Sequence, residues 1–226
     1  LLALTRGEPA PQPPLEVRVR PRYNPGLVSA FNIVPGLIGV LLTMTLVAIT
    51  AMALVRERER GTLEQLIVTP VARSSVILDK ILPFVIVGHV QMTVILALGH
   101  FALSVPLRGS LLLLYGITFP FIVAVLGVGL LISTAVKTQT QAMQLSIFYM
   151  LPSILLTGFM FPREAMPLVI RELGLLLPMT YYIGIVRGIA LKDVGLFDVW
   201  QPALVLTLFA LLLVTVSVKR FSKTME

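Results

Sequence analysis

Five stretches of the chain run for about 20 residues or more without a single Asp, Glu, Lys or Arg: Pro35–Val55, Ile81–Phe101, Leu111–Val136, Ala142–Phe161 and Val199–Val218. An α-helix rises about 1.5 Å per residue, so each run is long enough to cross a hydrocarbon layer about 30 Å thick. Backbone surrounded by lipid must satisfy its own hydrogen bonds, and a helix does so within one segment. Composition agrees. Hydrophobic residues make up 57% of the 226 and charged residues only 13%, against about 25% charged in an ordinary soluble domain. Mean hydropathy is +0.94. There is too little charge to wet a globule of this size, which excludes a water-soluble enzyme built around one core. The expected fold is an all-α membrane protein: a polytopic bundle of five transmembrane helices plus one re-entrant or interfacial outer segment.

That extra segment is the shorter apolar stretch Leu173–Val186, which holds Gly174 and Pro178 between Arg171, Glu172 and Arg187. About 14 residues suit a re-entrant or interfacial piece better than a crossing. Loop charge then sets the direction. Of the eighteen Lys and Arg, nine fall in the connections 56–80 and around Lys137 together with the tail from Lys219, and nine in the opposite set. The first set is far shorter and its charges crowd against span ends, so the positive-inside rule makes it cytoplasmic. The start of the chain then faces outward and the tail inward. A crossing by Leu173–Val186 would place Lys219–Lys223 outside, against the same rule.

Residues 1–34 differ in kind. Six prolines between Pro9 and Pro25 precede or flank Leu15, Val17 and Val19, which alternate with Glu16, Arg18 and Arg20. Such a pattern predicts a linker and one exposed strand, the end of an extracytoplasmic domain whose other strands lie upstream of Leu1. The opening residues lack the apolar core and small-residue cleavage site of a signal peptide, and the sequence reads as the later part of a longer polypeptide. Cysteine is absent and net charge is +7. In a soluble chain that balance suggests nucleic acid; here the bases sit at span ends and anchor loops. No internal repeat of 20–50 residues is visible.

The densest charge is the block Arg56-Glu57-Arg58-Glu59-Arg60, followed by Gly61-Thr62-Leu63-Glu64-Gln65-Leu66-Ile67-Val68-Thr69-Pro70. Alternating charge begins where the first span leaves the membrane. A short amphipathic helix then sets Leu63, Leu66 and Ile67 against Glu64 and Gln65, with a bend at Gly61 and a stop at Pro70. One reading is a plain stop-transfer cluster. The other is a helix along the membrane face that a cytoplasmic partner can push. The order and spacing of Arg58–Leu66, Thr69-Pro70 and Lys80-Ile81-Leu82-Pro83 resemble the permease subunits of ABC-2 type transporters. Further matching fragments are Asn24-Pro25, Val34–Ile38, Val105–Ser110 and Pro178–Tyr182, so the likeness covers Tyr23 to the end.

The resemblance implies six spans per permease with a large extracytoplasmic domain between the first two; this chain departs from it by lacking the first span. It also implies two permease halves, homodimeric or heterodimeric, each coupled to a cytoplasmic ATP-binding subunit. By that likeness the coupling region is 56–74, with Glu57, Glu59, Arg60, Gly61, Thr62, Leu63, Glu64 and Leu66 as the contact residues. The segment 162–195 would match the family's re-entrant helices. An export role in a bacterial cytoplasmic (inner) membrane follows as an expectation, and the substrate stays open.

The chain itself offers no GxxxxGK[ST] phosphate loop, and Gly127-Val128-Gly129 lies inside a span. ATP and Mg would therefore be bound by the partner and not by this chain. The two histidines, His89 and His100, both fall in the second span, about three turns and 16 Å apart. That is too far for a shared metal. His89 with Gln91 is a candidate intramembrane polar site, although a neutral histidine bonded to a neighbouring helix is the commoner arrangement; Thr93 and Gln91 suit interhelix hydrogen bonds. Gly36, Gly39, Thr43, Thr45 and Thr50, like Gly127, Gly129, Ser133 and Thr134, suit close helix approach or a lined path. Pro83, Pro120 and Pro152 would kink their helices. Ser110 near the histidines raises a serine hydrolase, but no G-x-S-x-G elbow surrounds it. No catalytic or metal-ligating set is expected. No acid sits within the five spans to carry a proton for secondary transport. A passive channel or structural membrane subunit without ATP coupling is the alternative function.

Overall fold

The apolar runs fold as helices, and the helices extend beyond them. The computed structural model describes residues 29–61 and 73–224. Among these the chain forms α1 (Ser29–Glu59), α2 (Arg73–Leu103), α3 (Leu111–Ala135), α4 (Gln139–Leu156), α5 (Leu168–Leu173), α6 (Pro178–Lys192) and α7 (Leu196–Thr224), with short 3₁₀ turns at Arg163–Ala165 and Gly174–Leu176. No strand occurs among the described residues. The expected strand around Leu15–Arg20 and the amphipathic stretch from Thr62 to Pro70 lie outside them.

Two boundaries differ from the sequence reading. α1 begins at Ser29 rather than Pro35, so 29–34 belong to the helix and not to a linker. Proline removes only one backbone bond, which a membrane helix tolerates. α1 also carries on through Arg56–Glu59, because charges that face water do not interrupt backbone hydrogen bonding. Pro83, Pro120 and Pro152 likewise lie inside α2, α3 and α4.

By length and apolar content, α1 (from Ile33), α2 (from Ile81), α3 and α7 can each cross a membrane. Within their most apolar windows, 61% of α1 and 56% of α3 is buried, against 28% of α2 and 17% of α7. The first two are therefore the centre and the others the flanks. The core joins Ile38, Leu42 and Leu46 of α1 to Phe121, Ile122 and Leu126 of α3, with Met92 of α2 and Tyr182 of α6. Glycine permits the closest approaches. A Cβ on Gly129 would lie 2.8 Å from the Val47 carbonyl oxygen, and one on Gly127 would lie 2.9 Å from Leu213 Cβ. The Ser217 hydroxyl completes the α3–α7 contact by donating to the Gly127 carbonyl at 3.0 Å.

The expected fourth span, Ala142–Phe161, is helical only over Gln139–Leu156. Gly158 (φ +83°) ends it in the left-handed conformation that glycine adopts without strain. Eighteen residues give about 27 Å, and Gln139, Gln141 and Gln144 lower its apolar content. Its contacts nevertheless run the depth of α1. Gln139 meets Glu59 at one end, while Phe159, just past its other end, packs against Gly36.

The sixth apolar stretch is not one helix. α5 with its following 3₁₀ turn meets α6 at 92°, the break falling at Leu177 before Pro178. α6 is about 22 Å long, short of a crossing, and lies beside the Gly36 end of α1 and the Ser110 end of α3. Tyr182 stacks on Phe121 with ring centroids 3.9 Å apart, and its hydroxyl pairs with that of Thr118 at 3.0 Å.

Candidate functional site

The charged end of α1 carries the described half of the expected coupling residues. Arg60 donates its backbone N–H to the Arg56 carbonyl and Gly61 donates to that of Arg58. Gly61 takes φ +68° with nothing nearby that a Cβ would strike, which turns the chain out of the helix. Glu59 and Arg60 are exposed, and Glu57 is half-buried. Thr62, Leu63, Glu64 and Leu66 lie outside the described residues.

Part of this charge points back into the bundle. Gln139, the first residue of α4, donates its backbone N–H to one Glu59 carboxylate oxygen at 3.0 Å and its side-chain amide to the other. Arg56 Nε donates to Gln139 Oε1 at 3.3 Å. Arg58 donates to the Val136 carbonyl at 3.2 Å, where α3 has just ended. The Thr138 hydroxyl caps α4 by accepting from the Gln141 N–H, and Gln141 Oε1 accepts in return from the Lys137 N–H. A carboxylate at a helix N-terminus is favoured because the first N–H groups there have no helical partner. Arg56, Arg58 and Glu59 thus hold the turn Val136–Gln139 in a polar clamp. Sequence reasoning missed Gln139 altogether. The one local signal was Thr138-x-x-Gln141, the pattern of a capping box.

The candidate pair His89 and Gln91 does not converge. His89 Nδ1 lies 2.9 Å from the Val85 carbonyl of its own helix, and its ring stacks on Tyr115 at 6.0 Å. Gln91 reaches the other way: it donates to the Leu41 carbonyl at 3.2 Å and accepts from Thr45 at 2.7 Å. Thr93 pairs with Tyr115 at 2.6 Å. Positions two apart on a helix face different neighbours, so these polar groups tie α2 to α1 and to α3. His100 Nδ1 sits 3.0 Å from the Val105 carbonyl at the end of α2. Ser110 caps α3 by accepting from Leu113 N–H. Among the described residues no three His, Asp or Glu side chains are gathered as metal ligands would be.

At the opposite end Arg187 of α6 donates to the carbonyls of Gly158 (2.9 Å) and Phe159 (3.2 Å). A guanidinium thereby holds two carbonyls of the turn that follows α4. Between α1 and α4 runs an open apolar groove of about 260 Å³, with Met44, Ala48 and Ile49 on one side and Met143, Ile147 and Met150 on the other. Methionine is unbranched and polarizable, so such a wall adapts to differing shapes.

The bundle thus has four long apolar helices, a fifth that runs beside α1 and a broken segment packed at one end, and its sequence matches a described family. A model of the "ABC-2 family transporter protein" matches residues 6–219. The chain belongs to the ABC-2 transporter family. It is a multi-pass membrane protein, and the resemblance read from Arg58–Leu66 and the later fragments is shown by a match across nearly the whole chain. The "Probable multidrug ABC transporter permease YbhR" of Escherichia coli (strain K12) is 38% identical over 207 residues, covering 90% of this chain and 56% of that protein. "Probable multidrug ABC transporter permease YbhS" of the same strain is 36% identical over 181 residues, 80% of this chain and 48% of the relative. Similarity extends to "ABC transporter G family member 20" of Dictyostelium discoideum, 28% identical over 197 residues, 86% of this chain and 27% of that protein. The chain thus spans about half the length of the two bacterial ABC-2 relatives.

Proposed function

We propose that this chain is the membrane part of a permease subunit in an ATP-binding cassette exporter of a bacterial inner membrane, driven by a separate cytoplasmic ATPase. The family match over residues 6–219 carries the reading. Two features support it: a charged helix end on which Glu59 and Arg60 are exposed, followed in sequence by Thr62, Leu63, Glu64 and Leu66, and an apolar groove between α1 and α4. The charged end faces the cytoplasm and takes the thrust of the ATP-binding subunit, which holds ATP and Mg. The groove is the half-wall of the substrate path, and a second permease half closes it. Work is done because the permease makes different contacts with the ATP-bound and empty states of its partner.

The experiment is co-purification of the intact permease with its ATP-binding subunit, wild type against Glu59→Ala with Arg60→Ala. The expected result is loss of the complex, or a complex whose ATP hydrolysis no longer depends on the permease. An unchanged complex with unchanged hydrolysis contradicts the assignment.

A further inference from the structure

Only part of the charge at the end of α1 is turned outward. Glu59 offers both carboxylate oxygens to Gln139, and Arg56 binds the same amide from its other side. Gln139 opens α4, and α4 forms one wall of the apolar groove. Gly61, two residues beyond Glu59, ends the helix with φ +68°, and the rest of the coupling block follows it in sequence. A displacement of that block therefore has two routes into the bundle. One runs along α1 itself. The other crosses to α4 through a single side chain that fills a fork between a carboxylate and a guanidinium.

We propose that Gln139 is a positioning residue: the Arg56–Gln139–Glu59 clamp transmits motion of the coupling region to α4, so that both walls of the groove move together. The inference rests on the proposed function and adds to it the route by which the second wall is driven. Three observations favour a transmitting role over simple capping. Thr138 already caps α4 at the Gln141 N–H, so Glu59 is not the only cap of that helix start. Arg58 fixes the end of α3 separately through the Val136 carbonyl, so the turn has its own anchor. Moreover, Gln139 is the first residue of α4, so a shift of Glu59 is applied directly to that helix. A helix is stiff along its axis, and Met143 and Ile147 lie about one and a little over two turns from its first residue.

These 226 residues hold no cysteine, so once any cysteine elsewhere in the complex is replaced, one placed at the exposed Thr140 reports on this end of α4. The test uses the intact permease assembled with its ATP-binding subunit in lipid nanodiscs. Two quantities are read: ATP hydrolysis, and the change in maleimide labelling at position 140 on adding ATP, Mg and vanadate. Gln139→Leu removes the side-chain bonds and leaves the backbone bond. It is expected to keep hydrolysis while the ATP-induced labelling change falls about fivefold or more, the lower range of typical site-to-site coupling. The exchange Glu59→Gln with Gln139→Glu rebuilds the same fork with roles reversed and is expected to restore the change. Should Gln139→Leu fail to assemble, Gln139→Glu alone, which sets its carboxylate against that of Glu59, takes its place with the same expectation. A normal labelling change in the single variant overturns the proposal, as does no recovery in an exchange variant that still assembles with the ATP-binding subunit and hydrolyses ATP. So does a wild-type complex that hydrolyses ATP with no change at position 140. A permease that never assembles with an ATP-binding subunit contradicts the proposed function instead.

Discussion

Gly129 and Gly116 sit on the same helix and make opposite demands. A methyl group on Gly129 would press on the carbonyl oxygen of Val47 at 2.8 Å and on Thr50 Cβ at 2.9 Å, while a methyl on Gly116 meets nothing within 4 Å. Gly129→Ala therefore has to part α1 from α3 by shifting backbone, at a cost of about 1–3 kcal/mol, as overpacking generally does. Gly116→Ala gains helix propensity and should be neutral or stabilising by about 0.8 kcal/mol. Unfolding of the purified protein in mixed micelles, followed by circular dichroism, checks both. Equal effects would mean that α1 and α3 do not meet at Gly129. Gly129, with Gly127, was legible in the sequence as a helix contact. Which glycine touches backbone and which is open was not, since that depends on neighbours some 80 residues away.

Among the elements, the five long apolar runs were the most legible, because lipid leaves a backbone little choice but a helix. Their ends were less so. α1 and α7 run past the last apolar residue into Arg56–Glu59 and Lys219–Thr224, since a charged side chain does not interrupt a helix's own hydrogen bonds. The broken segment could be read as too short to cross, but not as a wedge. Its place depends on Tyr182 finding Phe121, Thr118 and Gly39 on two other helices. The clamp was less legible still, since Glu59 meets a partner 80 positions away and only the local cap at Thr138 left a trace. At the opposite end Arg187 joins α6 to the turn after α4. Arg187→Met keeps much of the side chain's bulk and removes the donors, so residues 157–163 should exchange amide hydrogens at least tenfold faster, given about 1.5 kcal/mol or more for bonds to a charged group. Mass-spectrometric hydrogen exchange measures this; an unchanged rate would show that the turn holds without the guanidinium.

For the whole molecule, orientation is the first matter to check. If the Glu59 end is cytoplasmic, Asp193→Cys should react with a membrane-impermeant maleimide on intact cells. Lys219→Cys should react only after permeabilisation. The reverse pattern would invert the bundle and place the charged block outside. The larger claim is that ATP bound by a partner drives movement of solute through this bundle, and flux measures it most directly. Intact permease and ATP-binding subunit are reconstituted in inside-out liposomes and offered a panel of fluorescent lipophilic cations. Accumulation is followed with ATP, with ADP, and with the permease alone. The account predicts accumulation against a gradient with ATP only, lost when Glu59 and Arg60 are replaced by alanine. Flux that proceeds equally with ADP, or with the permease alone, would make the chain a passive channel and contradict it.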